Sequence, residues 1–284
     1  MKSGQWKMTQ TILDLLIEQM AALFSALPQV QAVGMAGSRV NPSTPFDPAS
    51  DIDLYVFTTA DIPLETRQGI VEKTGGTSRA ELGLNYWGPN DTWFHLPSGV
   101  EIDNNFFAAI WMEEQINRVL VHHEASLGYS TCFWHTMKNM IVLADPNGWL
   151  KNLKERCAAE YPEPLRRNII RFNHPVLRTI IPAYAHQLEK AVLRGDMVSV
   201  NHRLSGLLAS YFDILFALNH QTHPGEKRLL ELATAACPLL PEDMDADVRG
   251  VLLTAADNLE HLGDCVNQLL DHLDELLRSE GFLE

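Results

Sequence analysis

Apolar positions along this chain follow two different rhythms. Through the first half, short apolar runs and alternating stretches are interleaved with helical spacing; in the second half the spacing is helical almost throughout. Thr9 to Ala26 places Ile12, Leu15, Leu16, Met20 and Leu23 on one helical face, and Pro28 ends it. Val30 to Met35 is short and apolar, as a buried strand is. Asp51 to Phe57 alternates and is β-branched, which predicts a strand. A helix is expected over 63–73, closed by Gly75-Gly76. An aromatic, loop-rich stretch spans 84–99, a strand 100–107, a helix 111–125 and a last strand 140–143. Residues 40–50 carry three prolines and read as a loop, as does the proline-bearing connection at 161–175. Helices are then expected over 176–194, 198–219, 225–235 and 243–278. The fold class this predicts is an α/β (α+β) unit with a small mixed sheet, residues 1–155, followed by an all-α helical bundle, residues 156–284.

Composition narrows the partners. The 284 residues contain 36 Asp+Glu against 22 Lys+Arg, a net charge of −14. Such a surface repels nucleic-acid backbones and attracts cations, so no DNA partner is expected and a cationic small molecule suits it better. The densest basic cluster is Arg166, Arg167 and Arg171. No run of 18 apolar residues predicts a membrane span, and the first residues lack a secretory apolar core, so a cytoplasmic enzyme is the expectation. The oligomeric state stays open, a homodimer included. The four cysteines, Cys132, Cys157, Cys237 and Cys265, are far apart, contain no Cys-x-x-Cys pair and give no zinc pattern. His122-His123 and His220/His223 lack a third ligand. A P-loop kinase is excluded by the missing Gly-x-x-x-x-Gly-Lys, and a Gly-x-Ser-x-Gly elbow is also absent.

Three segments carry the candidate chemistry. Gly37-Ser38 directly follows a short apolar strand, where a glycine allows a tight turn and free amides can hold phosphate oxygens. Asp51 and Asp53 occupy alternate strand positions, so both carboxylates share one face, roughly 6–7 Å apart at Cα, while Ile52, Leu54 and Val56 point into the core. Carboxylates so placed can converge on one or two hard cations, which relieve their repulsion. Glu101-Ile102-Asp103 repeats the pattern on another strand, offering a third carboxylate for the metal or a base for an attacking hydroxyl.

Taken together, Gly37-Ser38-Arg39, Asp51-x-Asp53 and a strand acid at 101–103 resemble the nucleotidyltransferase superfamily, with a polymerase-beta-like core. The stretch from Gly37 to Leu54 resembles its bacterial small-molecule branch, which includes the aminoglycoside nucleotidyltransferases. The resemblance covers about residues 30–110. It implies two Mg2+ ions held by Asp51, Asp53 and a third acid. It also implies a nucleoside triphosphate, ATP by default, held by Gly37, Ser38 and Arg39. The stretch Val100-Glu101-Ile102 is similar to the Val-Glu-Val strand of the antibiotic enzymes, which implies Glu101 as third metal ligand, with Asp103 as the second choice. In the helical half, His223-Pro224-Gly225-Glu226-Lys227 resembles a turn whose lysine reaches the triphosphate, which implies that role for Lys227. Asp196 and Asp213 join Glu101 and Asp103 as candidates for general base or acceptor contact. The expected reaction moves NMP, AMP by default, to a hydroxyl of a small cationic acceptor and releases pyrophosphate. Alternatives are a protein or RNA-end acceptor, or a catalytically silent nucleotide-binding protein.

Overall fold

A computed structural model describes residues 2–40 and 50–284, without the side chains of 2–11 and Ser38. Most of the proline-bearing loop expected at 40–50 therefore lies outside the described residues. The chain forms two compact units, Met1–Ile116 with Thr136–Ala159, and Asn117–His135 with Glu160–Glu284.

The first unit contains helix α1 (Lys2–Ser25), strands β1 (Val30–Ala36) and β2 (Ile52–Thr58), helix α2 (Leu64–Lys73), and strands β3 (Thr77–Leu84), β4 (Asn90–His95) and β5 (Glu101–Ala108). Helix α3 (Ala109–Leu120) leaves this unit and α4 (Cys132–Asn139) returns to it, ahead of β6 (Ile141–Ala144) and α5 (Trp149–Cys157). The sheet runs β3-β4-β5-β2-β1-β6, with β2 and β5 parallel and the other pairings antiparallel, so it is mixed. Strand alternation sorts its side chains. Ile52, Leu54, Ile102 and Trp93 are fully buried and pack with Leu13, Leu16, Ile17 and Met20 of α1. The opposite face of the same strands carries the acids.

The second unit is built from α6 (Glu163–Arg178), α7 (Tyr184–Leu193), α8 (Met197–Leu218), α9 (Leu229–Ala236), α10 (Met244–Asp257) and α11 (Leu262–Ser279). One apolar core joins them, with Leu207, Tyr211, Ile214 and Leu215 of α8 packed among Leu188, Val251, Leu269 and Leu273. Among the described residues, no helix is long and apolar enough to cross a membrane.

Several segments depart from the pattern-based expectation. The stretch expected to be loop-rich at 84–99 contains β4 and the end of β3, an antiparallel hairpin whose register shifts between Thr77/Arg79 and Glu81/Leu84. Those bulges break the two-residue alternation that marks a strand. The connection expected at 161–175 is helical as α6. Pro164 sits in the first turn, where its missing N–H has no partner to lose, and Pro175 falls in the last turn. The single helix expected over 243–278 is two, separated by the non-helical Asn258 and a 3-10 turn at Leu259–His261. Helices α4 and α5 fall where no helix was expected, while α1 begins well before Thr9 and α3 ends before residue 125.

Candidate active site

Strand register brings the acids together. Asp53 stands opposite Ala36 of β1 on one side and Asp103 of β5 on the other. Asp51 immediately precedes β2, on the same face as Asp53. One carboxylate oxygen from each of Asp51, Asp53 and Asp103 lies within 4.8 Å of the other two. All three are half-buried, and among the described residues they form the group of three acids able to share one cation. Glu101, expected as the third ligand, lies outside that group. It stays close enough for its carboxyl to be pushed up. Partial desolvation is the largest cause, followed by the charges of Asp103 and Asp51, against an opposing pull from Arg79. Of the two acids that alternation places on one face, Asp103 is the one in register with Asp53.

The surroundings fix this trio. Gly37 follows β1 with φ +74, and a Cβ added there would stand 1.8 Å from Asp53 Oδ2 and 2.7 Å from its Cγ. The position needs glycine twice over, for its left-handed backbone and for the carboxylate packed against its Cα. Ser38–Val40 then forms a 3-10 turn. Ser38, expected to hold phosphate, contributes a described backbone only. Arg39, also expected on the nucleotide, donates from Nε to the Asp51 carbonyl at 2.7 Å and from Nη2 to that of Ser50, tying the turn to the entry of β2. On β4, Thr92 is in register with Asp103 and its hydroxyl donates to Asp103 Oδ1. Thr92 and Arg79 were not singled out from the sequence, because both belong to the hairpin that alternation does not reveal.

Farther along the same face, aromatic rings replace acids. Tyr55 stacks on Phe107 at 5.3 Å and Phe107 on Trp111 at 5.6 Å. Trp93 is core on the other face, while Tyr86 and Trp87 are exposed at the hairpin tip.

The remaining candidates belong to the second unit. Lys227 is exposed in the turn before α9. Asp196 caps α8, accepting from the Ser199 N–H at 3.0 Å. Asp213 is buried, and its carboxylate accepts from the backbone N–H of Ser130 at 3.0 Å, its hydroxyl at 2.6 Å and Asn173 Nδ2 at 3.3 Å.

Comparison with known proteins adds modestly to this geometry. Residues 132–229 match a family model described as a domain of unknown function (DUF4037), which spans under half of the chain. No curated protein matches. Among solved structures, the chain is similar to a nucleotidyltransferase-like protein from Exiguobacterium sibiricum 255-15, with 15% identity and a TM-score of 0.41, over 90% of this chain and 71% of that one. A likeness of that size leaves the chemistry to be argued from the acids themselves.

The donor set suits a hard divalent cation. It consists of carboxylate oxygens alone, from β5, β2 and the residue that leads into β2, beside a Gly37 whose added β-carbon would overlap the Asp53 carboxylate.

Proposed function

We propose that the protein is a metal-dependent nucleotidyltransferase that moves a nucleoside monophosphate, AMP from ATP in the first instance, onto a hydroxyl of a small cationic acceptor and releases pyrophosphate. The observation that carries this reading is the convergence of Asp51, Asp53 and Asp103 beside the Gly37 turn. Bound Mg2+ at these carboxylates, two ions in this reading, would neutralise phosphate charge and polarise the α-phosphate toward attack.

The chain's own residues do the positioning. Asp51, Asp53 and Asp103 hold the cation site, and Thr92 keeps Asp103 turned toward it. Arg39 sets the start of β2, and so the placement of Asp51, through two backbone carbonyls. Glu101 lies outside the metal trio, on the strand face it shares with Asp103, and is assigned in this reading to accept the proton of the acceptor hydroxyl. The acceptor oxygen attacks the α-phosphate, its proton passes to that base, and the bond to the leaving pyrophosphate breaks. Lys227 is assigned to the triphosphate on resemblance alone. The net charge of −14 supports a cationic acceptor over a polyanionic one for this site.

The test is pyrophosphate release from each nucleoside triphosphate with Mg2+, across aminoglycosides, other hydroxylated antibiotics and bulk tRNA, with Asp53→Asn alongside. Release with one acceptor, abolished in the variant, supports the reading and names the acceptor class. Absence of both turnover and metal-dependent triphosphate binding overturns it.

A further inference from the structure

The basic cluster Arg166, Arg167 and Arg171 plays no part in the reaction above. It lies on α6 in the second unit. Glu163 is shared among Arg166 at 3.4 Å, Arg167 at 3.1 Å and His220 at 3.2 Å, so one carboxylate answers two permanent cations. Nearby Glu124 is itself paired with Arg118 at 2.9 Å. Arg171, one turn beyond Arg167, is exposed and hydrogen-bonds Asn168 Oδ1 at 3.3 Å. Among the described residues it makes no ion pair. Arg167 and Arg171 are like charges four residues apart, a spacing that costs a helix stability.

Arg171 stands between two cavities. One of about 340 Å3 is lined with His122, His123, Asn168 and Phe172, and also with Glu124, the carboxylate paired with Arg118. The other, of about 730 Å3, adds Arg167 with its partner Glu163 and has an apolar wall of Ile170 and Phe282. The turn beside Arg171 is built rather than loose. His123 adopts φ +53, a conformation that non-glycine residues rarely take, and its carbonyl accepts from Asn168 Nδ2 at 2.9 Å. Asn168 thus touches both the Arg171 guanidinium and the turn carrying two imidazoles. Phe172, the next residue on α6, is 50% exposed.

We propose that this face of the second unit binds the phosphate of a nucleotide, with Arg171 on the phosphate and Phe172 under the base. A guanidinium fork matches phosphate oxygens, and imidazole N–H groups beside it add donors. An exposed aromatic ring next to a cation accepts any base by stacking. The excess cation is local, and an anion senses it within a Debye length despite the acidic whole. The nucleotide is either free or a unit of a single-stranded RNA; both present the same phosphate and base.

The experiment is binding in EDTA, where a metal-dependent site at the acids contributes nothing, so its outcome is separate from that of the proposed transfer. The probes are a fluorescently labelled 5′-phosphorylated oligo(U), AMP and inorganic phosphate, read by anisotropy and calorimetry on the full chain. Arg171→Glu weakens nucleotide binding about ten- to a hundredfold, as loss of a charged hydrogen-bond donor predicts. Arg203→Glu, the same charge change at an exposed position of α8, leaves it unchanged. Phe172→Ala weakens AMP and oligo(U) about tenfold and leaves inorganic phosphate unaffected. Oligo(U) far tighter than AMP identifies a strand as the ligand; comparable affinities identify the free nucleotide. Equal losses in the two arginine variants, or no saturable binding of AMP or oligo(U) at millimolar concentration, overturns the proposal.

Discussion

The Asp53 carboxylate packs directly against the Cα of Gly37, so close that a β-carbon there would overlap Oδ2 at 1.8 Å. Gly37→Ala therefore acts on the proposed metal site without replacing an acid. The left-handed φ alone costs about 1–2 kcal/mol, and the methyl displaces Asp53. A thermal melt is expected to show a modest loss of stability, while Mg2+-dependent turnover falls by orders of magnitude because charge placement carries most of phosphoryl transfer. A variant with near-native turnover would show that Asp53 has no fixed place in the reaction.

The register Asp53 to Asp103 separates the two acids of β5. Mg2+ or Mn2+ is expected to raise the melting temperature of the native protein, and Asp51→Asn, Asp53→Asn and Asp103→Asn are each expected to abolish that rise. Glu101→Gln keeps that rise and instead lowers turnover, with a changed pH profile. The reverse pattern would return Glu101 to the metal and make Asp103 its neighbour.

Much of this arrangement is legible in the sequence, and the gaps have physical causes. Ile52, Leu54 and Ile102 announce the buried face of β2 and β5, which puts Asp51, Asp53, Glu101 and Asp103 together on the other. Alternation cannot rank Glu101 against Asp103, since both satisfy it; the ranking comes from pairing between strands distant in sequence. The hairpin of β3 and β4 escapes because β3 is an exposed edge strand with Arg79 and Glu81 outward and bulges at both ends. Helix α6 escapes because Pro164 and Pro175 suggest breaks, yet Pro164 sits in the first turn, which tolerates proline, and the helix runs on past Pro175 for only three residues at the loss of one backbone hydrogen bond. The left-handed His123 beside Arg171 depends on tertiary contacts and leaves no local signal.

Arg67 and Asp91 form a buried ion pair at 2.7 Å on the core side of the hairpin, with Asp91 only 1% exposed and also accepting from the Gly83 N–H. Burial pushes the Asp91 carboxyl up, and the Gly83 amide and Arg67 only partly counter it. Arg67→Ala leaves that charge unpaired and is expected to cost about 3–5 kcal/mol in denaturant unfolding at neutral pH. The deficit shrinks as pH falls, because the variant's Asp91 then holds a proton. Arg67→Ala with Asp91→Asn recovers part of the loss. A deficit independent of pH would place the cost in lost packing of the guanidinium over Phe106, which it covers at 4.9 Å.

Two buried groups of the second unit titrate with opposite effects on stability. Burial pushes Asp213 up to about 7, against hydrogen bonds from Ser130 that pull it down. Burial, with a smaller contribution from His135, pushes His223 down to about 4. For Asp213 the folded state keeps a proton that the unfolded chain, near 3.8, has released. Its contribution to stability is full below that value and is lost as pH rises to about 7. For His223 the folded state refuses a proton that the unfolded chain takes up near 6.5. Its contribution is full above that value and is lost as pH falls to about 4. Across most of the interval from 4 to 7 the two slopes oppose, and the native protein is expected to show a flattened profile there. Asp213→Asn removes the falling arm, so unfolding free energy measured in urea should climb with pH more steeply than in the native protein. His223→Asn, whose amide oxygen can still accept from the Gly225 N–H as the ring does at 3.1 Å, removes the rising arm and should give a profile that declines toward pH 7. Parallel profiles for the native protein and both variants would mean that neither group changes its protonation on folding.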